Sequence, residues 1–177
     1  MFPVKRVAGT SARSLALVFA LGGCGYRAVH GGEEPAGRLS VAAAPALAPD
    51  AEAQHAALSG ARSELAREGV LGSPTGYPRL VVELVRVDVE ATGIAAPDDH
   101  PTGRGSRVTV VARGSVQEAV GGPPTRVTGD VRRSYLAPEG TSAAASAEAR
   151  RGAARRAGEA AGRAVARHVL GIPTARD

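Results

Sequence analysis

The chain contains a single cysteine, Cys24, which stands directly after an apolar run near the N-terminus. One thiol cannot form a disulfide within the chain, and it cannot supply a zinc site that needs two or more thiolates. The length of 177 residues fits one ordinary domain better than two. A fold stapled by disulfides or by a cysteine-ligated metal is therefore excluded.

The segment before Cys24 has the layout of an export signal. Basic residues without any acid precede an apolar run over residues 15–21, and two glycines follow that run. The run is too short to span a bilayer. Two interpretations follow: an uncleaved hydrophobic anchor, or a signal peptide over residues 1–23 that is removed.

The sequence Leu21-Gly22-Gly23-Cys24 resembles the lipobox that bacterial lipoprotein signal peptidase cuts. The resemblance implies a mature chain that begins at Cys24, with a diacylglyceryl group on the thiol and an acyl chain such as palmitate on the amine. Two or three acyl chains give stable anchoring where one would be marginal. By resemblance to enterobacterial sorting rules, Gly25 rather than Asp after the cysteine favours the outer membrane.

The net charge of +5 would, taken alone, suggest a nucleic-acid partner. Residues 1–23 contribute +3 of it, so the remaining chain is nearly neutral at +2. The whole chain has five aromatic residues, which leaves little for stacking on bases. No nucleic-acid partner is therefore expected.

After a Gly-rich tether over residues 24–37, the sequence predicts a short strand at 38–44 and a helix at 50–68. Asp50 is the expected N-cap and Gly69 the expected stop. The predicted apolar face of the helix consists of Ala51, Leu58, Ala61 and Leu65.

Three further strands are predicted at 79–90, 107–118 and 126–136, with a loop over 91–105 and a turn at 121–124. Alternation in each strand predicts one inward face. The inward residues expected from it are Val81, Val85, Val87 and Val89, then Val108, Val110, Ala112 and Val116, and finally Val127, Val131 and Tyr135.

An Ala- and Arg-rich helix is predicted over 141–170, capped by Thr141 or Ser142. A stripe of small residues marks one side of it and would let the helix lie close on the sheet: Ala154, Ala157, Ala161 and Val165. Arginines occupy the opposite side, where they are either solvated or paired with acidic groups of a partner.

The order strand, helix, three strands, helix predicts an α+β two-layer sandwich over residues 38–171, followed by a tail at 172–177. Two helices are expected on one face of a four-stranded sheet. The other face stays free, and a free face or edge on a small sheet normally needs a cover, so a partner is expected.

This order, together with the Cys24-Gly25-Tyr26-Arg27 start, resembles the LPS-assembly lipoprotein family (LPS, lipopolysaccharide). The helix ending at 65–69 and the Ser134-Tyr135 pair before the terminal helix are similar to that family as well. The first turn differs from the family pattern, the sheet has fewer aromatics, and every basic residue after Cys24 is arginine.

The resemblance implies an outer-membrane subunit with no enzymatic activity, which plugs the LPS-inserting β-barrel, supports its assembly and touches LPS during delivery. Arginine suits the phosphates of LPS because it binds them in a planar, bidentate way. The candidate LPS-contacting residues are Arg104, Arg107, Arg126, Arg132 and Arg133. The alternative for each is an arginine that only solvates the sheet and deters edge pairing.

No catalytic or metal-binding pattern stands out in the sequence. Asp98, Asp99 and His100 have metal-capable side chains, but no further ligand stands at the usual spacing. No HExxH, GxSxG or phosphate-loop motif occurs. The expectation is therefore a chain without enzyme activity, metal or cofactor apart from the lipid on Cys24. The rival function is a regulatory or transport-auxiliary lipoprotein, such as a peptidoglycan-synthase activator or a lipid-transport accessory subunit.

Overall fold

Five strands and two helices make up the described part of the chain, in the order β-α-β-β-β-β-α. The structure, a computed structural model, describes residues 37–45, 49–95 and 101–173, and around the gap it describes residues 94, 95 and 101–103 by backbone alone. The predicted signal peptide, Cys24, the tether up to residue 36, the segment 98–100 and residues 174–177 lie outside these ranges. The elements are β1 (Ser40–Ala43), α1 (Ala51–Arg67), β2 (Arg79–Ala95), β3 (Pro101–Gln117), β4 (Pro124–Val127), β5 (Val131–Pro138) and α2 (Ala143–Val169).

Both helices begin and end at the residues that the sequence predicts. Asp50 caps α1 by accepting a hydrogen bond from the Ala53 amide at 2.8 Å, and Ser142 caps α2 by accepting one from Ala145 at 3.1 Å. Gly69 and Gly171 follow the two helices with positive φ angles of 72° and 70°, a backbone region that favours glycine. The caps therefore fix the helix boundaries locally.

The strands form one sheet in the order β1-β2-β3-β4, with β5 also paired to β3. β1 runs parallel to β2, to which α1 connects it, and the other pairs are antiparallel. The core consists of the helix-facing strand residues and the inner sides of α1 and α2. The predicted α+β class, with two helices on one face of the sheet, is confirmed.

The third predicted strand of the antiparallel part is interrupted. It divides into β4 and β5 around Thr128, whose hydroxyl accepts a hydrogen bond from the Gly114 amide at 2.8 Å. Both pieces remain paired with β3, so the arrangement of four neighbouring strand positions is kept. The interruption changes which residues point toward the helices. As a result Val127 points away from the core and is 58% exposed, contrary to prediction, whereas Val131 is buried.

A bulge in β2 overturns the predicted inward face of that strand. Leu84 pairs with Ala112 and Arg86 pairs with Val111, so Val85 is an extra residue. Before the bulge, Leu80, Val82 and Leu84 face the helices, and after it Val87 and Val89 do. The expectation that Val81 and Val85 share a face with Val87 is therefore wrong, because one inserted residue reverses the alternation.

β2 and β3 are longer than predicted, since most of the expected loop over 91–105 continues both strands. The hairpin pairs as far as Ala95 and Pro101, and β5 pairs with β3 as far as Gly105. Backbone pairing on both sides of β3 extends a Gly-rich stretch that composition alone assigns to a loop.

The two helices run parallel and touch through backbone. A Cβ atom on Gly162 would overlap the Ala57 carbonyl oxygen, and one on Gly158 would lie 2.5 Å from that of Ala53. The predicted stripe of Ala154, Ala157, Ala161 and Val165 is buried. Gly158 and Gly162, which are not part of that stripe, form the close contact with α1.

α2 extends well beyond the start of α1. Arg155 of α2 pairs with Glu52 in the first turn of α1 at 3.3 Å, so among the described residues no second helix lies beside residues 143–154 on that side. At 1.5 Å per residue this overhang is about 18 Å long. Of the two described helices, α2 alone covers the half of the sheet beneath the overhang.

Candidate functional site

The five candidate arginines do not form one cluster. We call the face of the sheet turned away from the helices the open face. Its side chains are Val81, Glu83, Arg86, Asp88, Glu90, Arg107, Thr109, Val111, Arg113, Ser115, Val127, Arg132, Ser134 and Leu136. Arg107 and Arg132 belong to this open face. Arg104, Arg126 and Arg133 lie on the helix side instead.

Two of the helix-side arginines have local hydrogen-bonding roles. Arg126 donates to the Val169 carbonyl oxygen at 3.3 Å and so satisfies a free acceptor at the C-terminal end of α2. Arg133 donates to the Arg132 carbonyl oxygen at 2.8 Å. For these two residues a structural role accounts for the observed contacts.

Arg104 is the candidate that lines a cavity. A cleft of about 490 Å³ lies between the far end of the β2–β3 hairpin and the first turns of α2. We call it the basic cleft. Its lining consists of Ala91, Thr92, Gly93, Arg104, Gly105, Ser106, Pro138, Glu139, Ser146 and Arg150.

The chain segment between β5 and α2 shapes one wall of the basic cleft. The Gly140 amide donates to the Ser146 hydroxyl at 3.0 Å, and the Glu139 amide donates to the Arg104 carbonyl oxygen at 3.0 Å. A Cβ atom on Gly105 would lie 2.9 Å from the Ala137 carbonyl oxygen, so this strand position requires a glycine. These contacts hold the start of α2 against the hairpin and keep the two arginines on opposite sides of one space.

Arg150 differs from the other arginines of α2 in its partners. Four of those lie within 4 Å of a carboxylate, in the pairs Arg151–Glu148, Arg155–Glu52, Arg163–Glu159 and Arg167–Glu64. Arg156 lies over the Tyr135 ring at 5.8 Å. Arg150 donates only to the backbone carbonyl of Ser146, at 3.3 Å. Its charge is therefore not balanced by an ion pair within the described residues.

The basic cleft carries a surplus of positive charge. Arg104 and Arg150 face one carboxylate, that of Glu139, and all three side chains are exposed. The first turn of α2 contains no acidic residue, so the positive end of the helix dipole adds to the field. The hydroxyl groups of Ser106 and Ser146 supply further hydrogen-bonding groups. Such a lining suits a phosphate-sized anion.

The open face has a different character, with charges of both signs around apolar side chains. Val127 and Leu136 are 58% and 55% exposed there. Arg113 donates to the Asp130 carboxylate at 2.7 Å, and this hydrogen bond, with the attraction between the charges, raises the pKa of the Arg113 guanidinium. Arg107 stands opposite Glu90 and Leu136, and Arg132 stands opposite Val111. This face suits contact with another surface rather than with a small ligand.

Sequence reasoning missed Arg150 as a site residue. The lining of the basic cleft comes from β2, β3, the segment after β5 and α2, which are up to 59 positions apart in the chain. Arg150 lies in a run of similar arginines, so composition cannot separate it from its paired neighbours. Within the described ranges, no three His, Cys, Asp or Glu side chains are grouped so that they could hold a metal ion. Also within those ranges, neither helix is long and apolar enough to cross a membrane.

No family model matches the chain, and no curated protein matches it by sequence. Among solved structures, a protein described as a lipoprotein from Caulobacter crescentus gives a TM-score of 0.51 at 15% identity, over 74% of this chain and 88% of that one. A minor lipoprotein from Acinetobacter baumannii gives 0.47 at 9% identity, over 75% and 91% of the two chains. Rare lipoprotein B from Shewanella oneidensis gives 0.40 at 15% identity, over 75% and 93%.

All three of these bacterial proteins are described as lipoproteins. The likeness to the Caulobacter protein shows a shared α+β fold that spans most of both chains.

Proposed function

We propose that this protein is an outer-membrane lipoprotein subunit of the LPS translocon. In this role it is anchored through lipid on Cys24, plugs and supports assembly of the LPS-inserting β-barrel, and helps deliver LPS to the outer leaflet. The observation that carries the proposal is the combination of a lipobox-like sequence with a fold shared with a protein described as a lipoprotein.

The basic cleft supports the LPS-handling part of the proposal. The phosphates of LPS are anions of the size and charge that two guanidinium groups bind well. Arg104 and Arg150 both reach the cleft from rigid elements, a strand and a helix. Among the described arginines they are the pair we assign to phosphate contact.

The first described residues and the basic cleft lie at opposite ends of the sheet. The described chain enters the sheet near the C-terminal end of α1, where Leu39 donates its amide to the Val70 carbonyl oxygen at 2.8 Å. The basic cleft lies at the other end of the sheet, about 46 Å away along β2 from Arg79 to Gly93 at 3.3 Å per residue.

The open face supports the assignment of a protein partner. Val127 and Leu136 are exposed there among arginines and acids, as at the cores and rims of transient interfaces, whereas Val81 and Val111 are buried. Arg107 and Arg132 are proposed to contact the wall of the barrel rather than LPS, because neither lines the basic cleft.

Co-purification of the tagged full chain in mild detergent tests the partner. We expect a large outer-membrane β-barrel protein in the eluate, and loss of surface LPS with a misassembled barrel when the protein is depleted. Recovery of a peptidoglycan synthase or a periplasmic lipid-transport complex instead would favour the rival function. Normal surface LPS in depleted cells would refute the proposal.

Acyl labelling tests the anchor separately. Wild-type protein is expected to incorporate labelled fatty acid, and Cys24→Ala is expected to incorporate none. Equal labelling of the two proteins would contradict lipidation at Cys24.

A further inference from the structure

Among the described residues, an apolar strip of β2 on the helix side is only partly covered, with Val87 half-buried against the core and Val89 and Ala91 exposed. Val87 and Val89 pair with Val110 and Val108, which belong to the core, so all four valines face the same layer. Val110 and Val108 are 0% and 1% exposed, whereas Val89 is 52% exposed. We call Val87, Val89 and Ala91 the apolar ledge.

The ledge exists because α1 begins too late to cover it. Gln54, in the first turn of α1, donates to the Val82 carbonyl oxygen at 3.0 Å, so the helix starts over the other half of β2. β1 also ends there, since its last residue, Ala43, pairs with Val82. Among the described strands, β2 beyond Leu84 therefore pairs on one side only, with β3, and α2 lies on only one side of its helix-facing surface.

The ledge runs directly into the basic cleft. Ala91 belongs to both, and it pairs with Ser106, another lining residue of the cleft. Gly93, two residues further along the same face, pairs with Arg104. From Val87 to Ala91 the ledge measures about 13 Å at 3.3 Å per residue. The surface is thus one trough with an apolar floor and a basic end.

We infer that this trough binds an amphiphile lengthwise, with a phosphate headgroup in the basic cleft and an alkyl chain along Val87 and Val89. The inference rests on the phosphate-binding role proposed for the cleft, and it adds the part of the ligand that the cleft does not contact. A free phosphate would leave Val89 in water, whereas an alkyl chain removes its surface from water and shields the guanidinium–phosphate contacts. A specific protein partner normally buries about 1,000 Å² or more, which a strip of three small side chains does not offer.

The inference is tested by measuring how the affinity for alkyl phosphates depends on the length of their alkyl chain. The protein used is the mature lipidated form, kept soluble in a nonionic amphipathic polymer. The probes are butyl phosphate and octyl phosphate, the latter kept below its critical micelle concentration. Each is titrated into the protein by calorimetry, and the same titration into polymer without protein is the blank. A fully buried methylene is worth about fourfold in affinity, so a half-covered chain on an open ledge gives about twofold for each methylene. Octyl phosphate is therefore expected to bind roughly 15-fold more tightly than butyl phosphate.

The Val89→Ser variant is expected to lose most of this difference while butyl phosphate binds as before. Val120→Ser is the matched control, because Val120 is 83% exposed in the β3–β4 turn, away from the trough. Equal affinity for the two phosphates would contradict binding of the alkyl chain along the apolar ledge. So would a higher affinity for octyl phosphate that Val89→Ser leaves unchanged. Butyl phosphate binding that is unchanged in the Arg104→Ala/Arg150→Ala variant would instead refute the proposed role of the cleft, and with it the inference.

Discussion

The two ends of the sheet are built from the same strands but differ in what covers them. Where both helices lie over the sheet, Leu80 and Val82 of β2 are fully buried. Beyond the start of α1, Val89 of the same strand is half exposed, although its partner Val108 is buried. The comparison indicates that the covered end holds most of the stability of the fold, whereas the other end leaves side chains exposed at the place where we propose binding.

The glycine contact between the helices is the most sensitive point of the covered end. The Gly162→Ala substitution would push a methyl group into the Ala57 carbonyl oxygen of α1, and rigid backbone cannot move aside. We expect a loss of about 3 kcal/mol in the free energy of unfolding, at the upper end of overpacking effects. Urea denaturation measures it.

The Gly152→Ala variant is the matched control for this prediction. Gly152 lies in the same helix, and a Cβ atom there would meet only the Arg156 side chain at 3.9 Å. It should gain about 0.5–1 kcal/mol through helix propensity. If both glycine variants lost stability equally, the close approach of the helices would not be the cause.

A leucine pair compares the two faces of the sheet. The Leu80→Ala change removes a fully buried side chain and should cost about 2–4 kcal/mol. The Leu136→Ala change on the open face, where the side chain is 55% exposed, should cost less than about 0.5 kcal/mol. Comparable losses in thermal or urea unfolding would mean that the open face is part of the core of the protein.

Local signals in the sequence predict much of this fold. Asp50 and Ser142 predict the starts of the helices because capping depends only on neighbouring backbone amides. The inward residues of β3 are predicted correctly, since that strand keeps its alternation from Val108 to Val116. Regular periodicity and local hydrogen bonding are readable without knowledge of the partners.

The features that sequence reasoning missed depend on contacts between distant segments. The bulge at Val85 arises from the pairing of β2 with β3, and it reverses the predicted face of β2. The basic cleft joins Arg104 and Arg150 from different elements, and Arg150 differs from the other arginines of α2 in having neither a carboxylate nor an aromatic ring as partner among the described residues. Neither the bulge nor the proximity of the two arginines can be predicted from composition or residue spacing.

Substitution at the uncovered end should change binding without changing stability. The Arg150→Ala variant removes one of two guanidinium groups from the basic cleft, and hydrogen bonds to charged groups are worth about 1.5–3 kcal/mol. We expect affinity for purified LPS to fall at least about tenfold, with the unfolding midpoint unchanged. Surface plasmon resonance and urea denaturation measure the two quantities.

The adjacent Arg151→Ala variant is the control for charge alone, because Arg151 already pairs with Glu148 at 3.2 Å and does not line the cleft. It should bind LPS like the wild type. Equal losses in both variants would show that the net charge of α2, rather than the cleft, controls LPS binding.

The two helix caps give the smallest predicted effect and the finest test of the difference between the ends. The Asp50→Ala change removes the cap of α1, which lies entirely over the covered end, so the loss of about 1 kcal/mol should appear in global unfolding. The Ser142→Ala change removes the cap of the overhang, whose first turns have no neighbouring helix in the described part of the chain. A similar loss should therefore appear as faster hydrogen exchange over residues 143–153, with a smaller change in global stability. If the Ser142→Ala variant instead accelerated exchange uniformly through both helices, the overhang would be as firmly coupled to the core as the covered end, and the division between a stabilising end and a binding end would not hold.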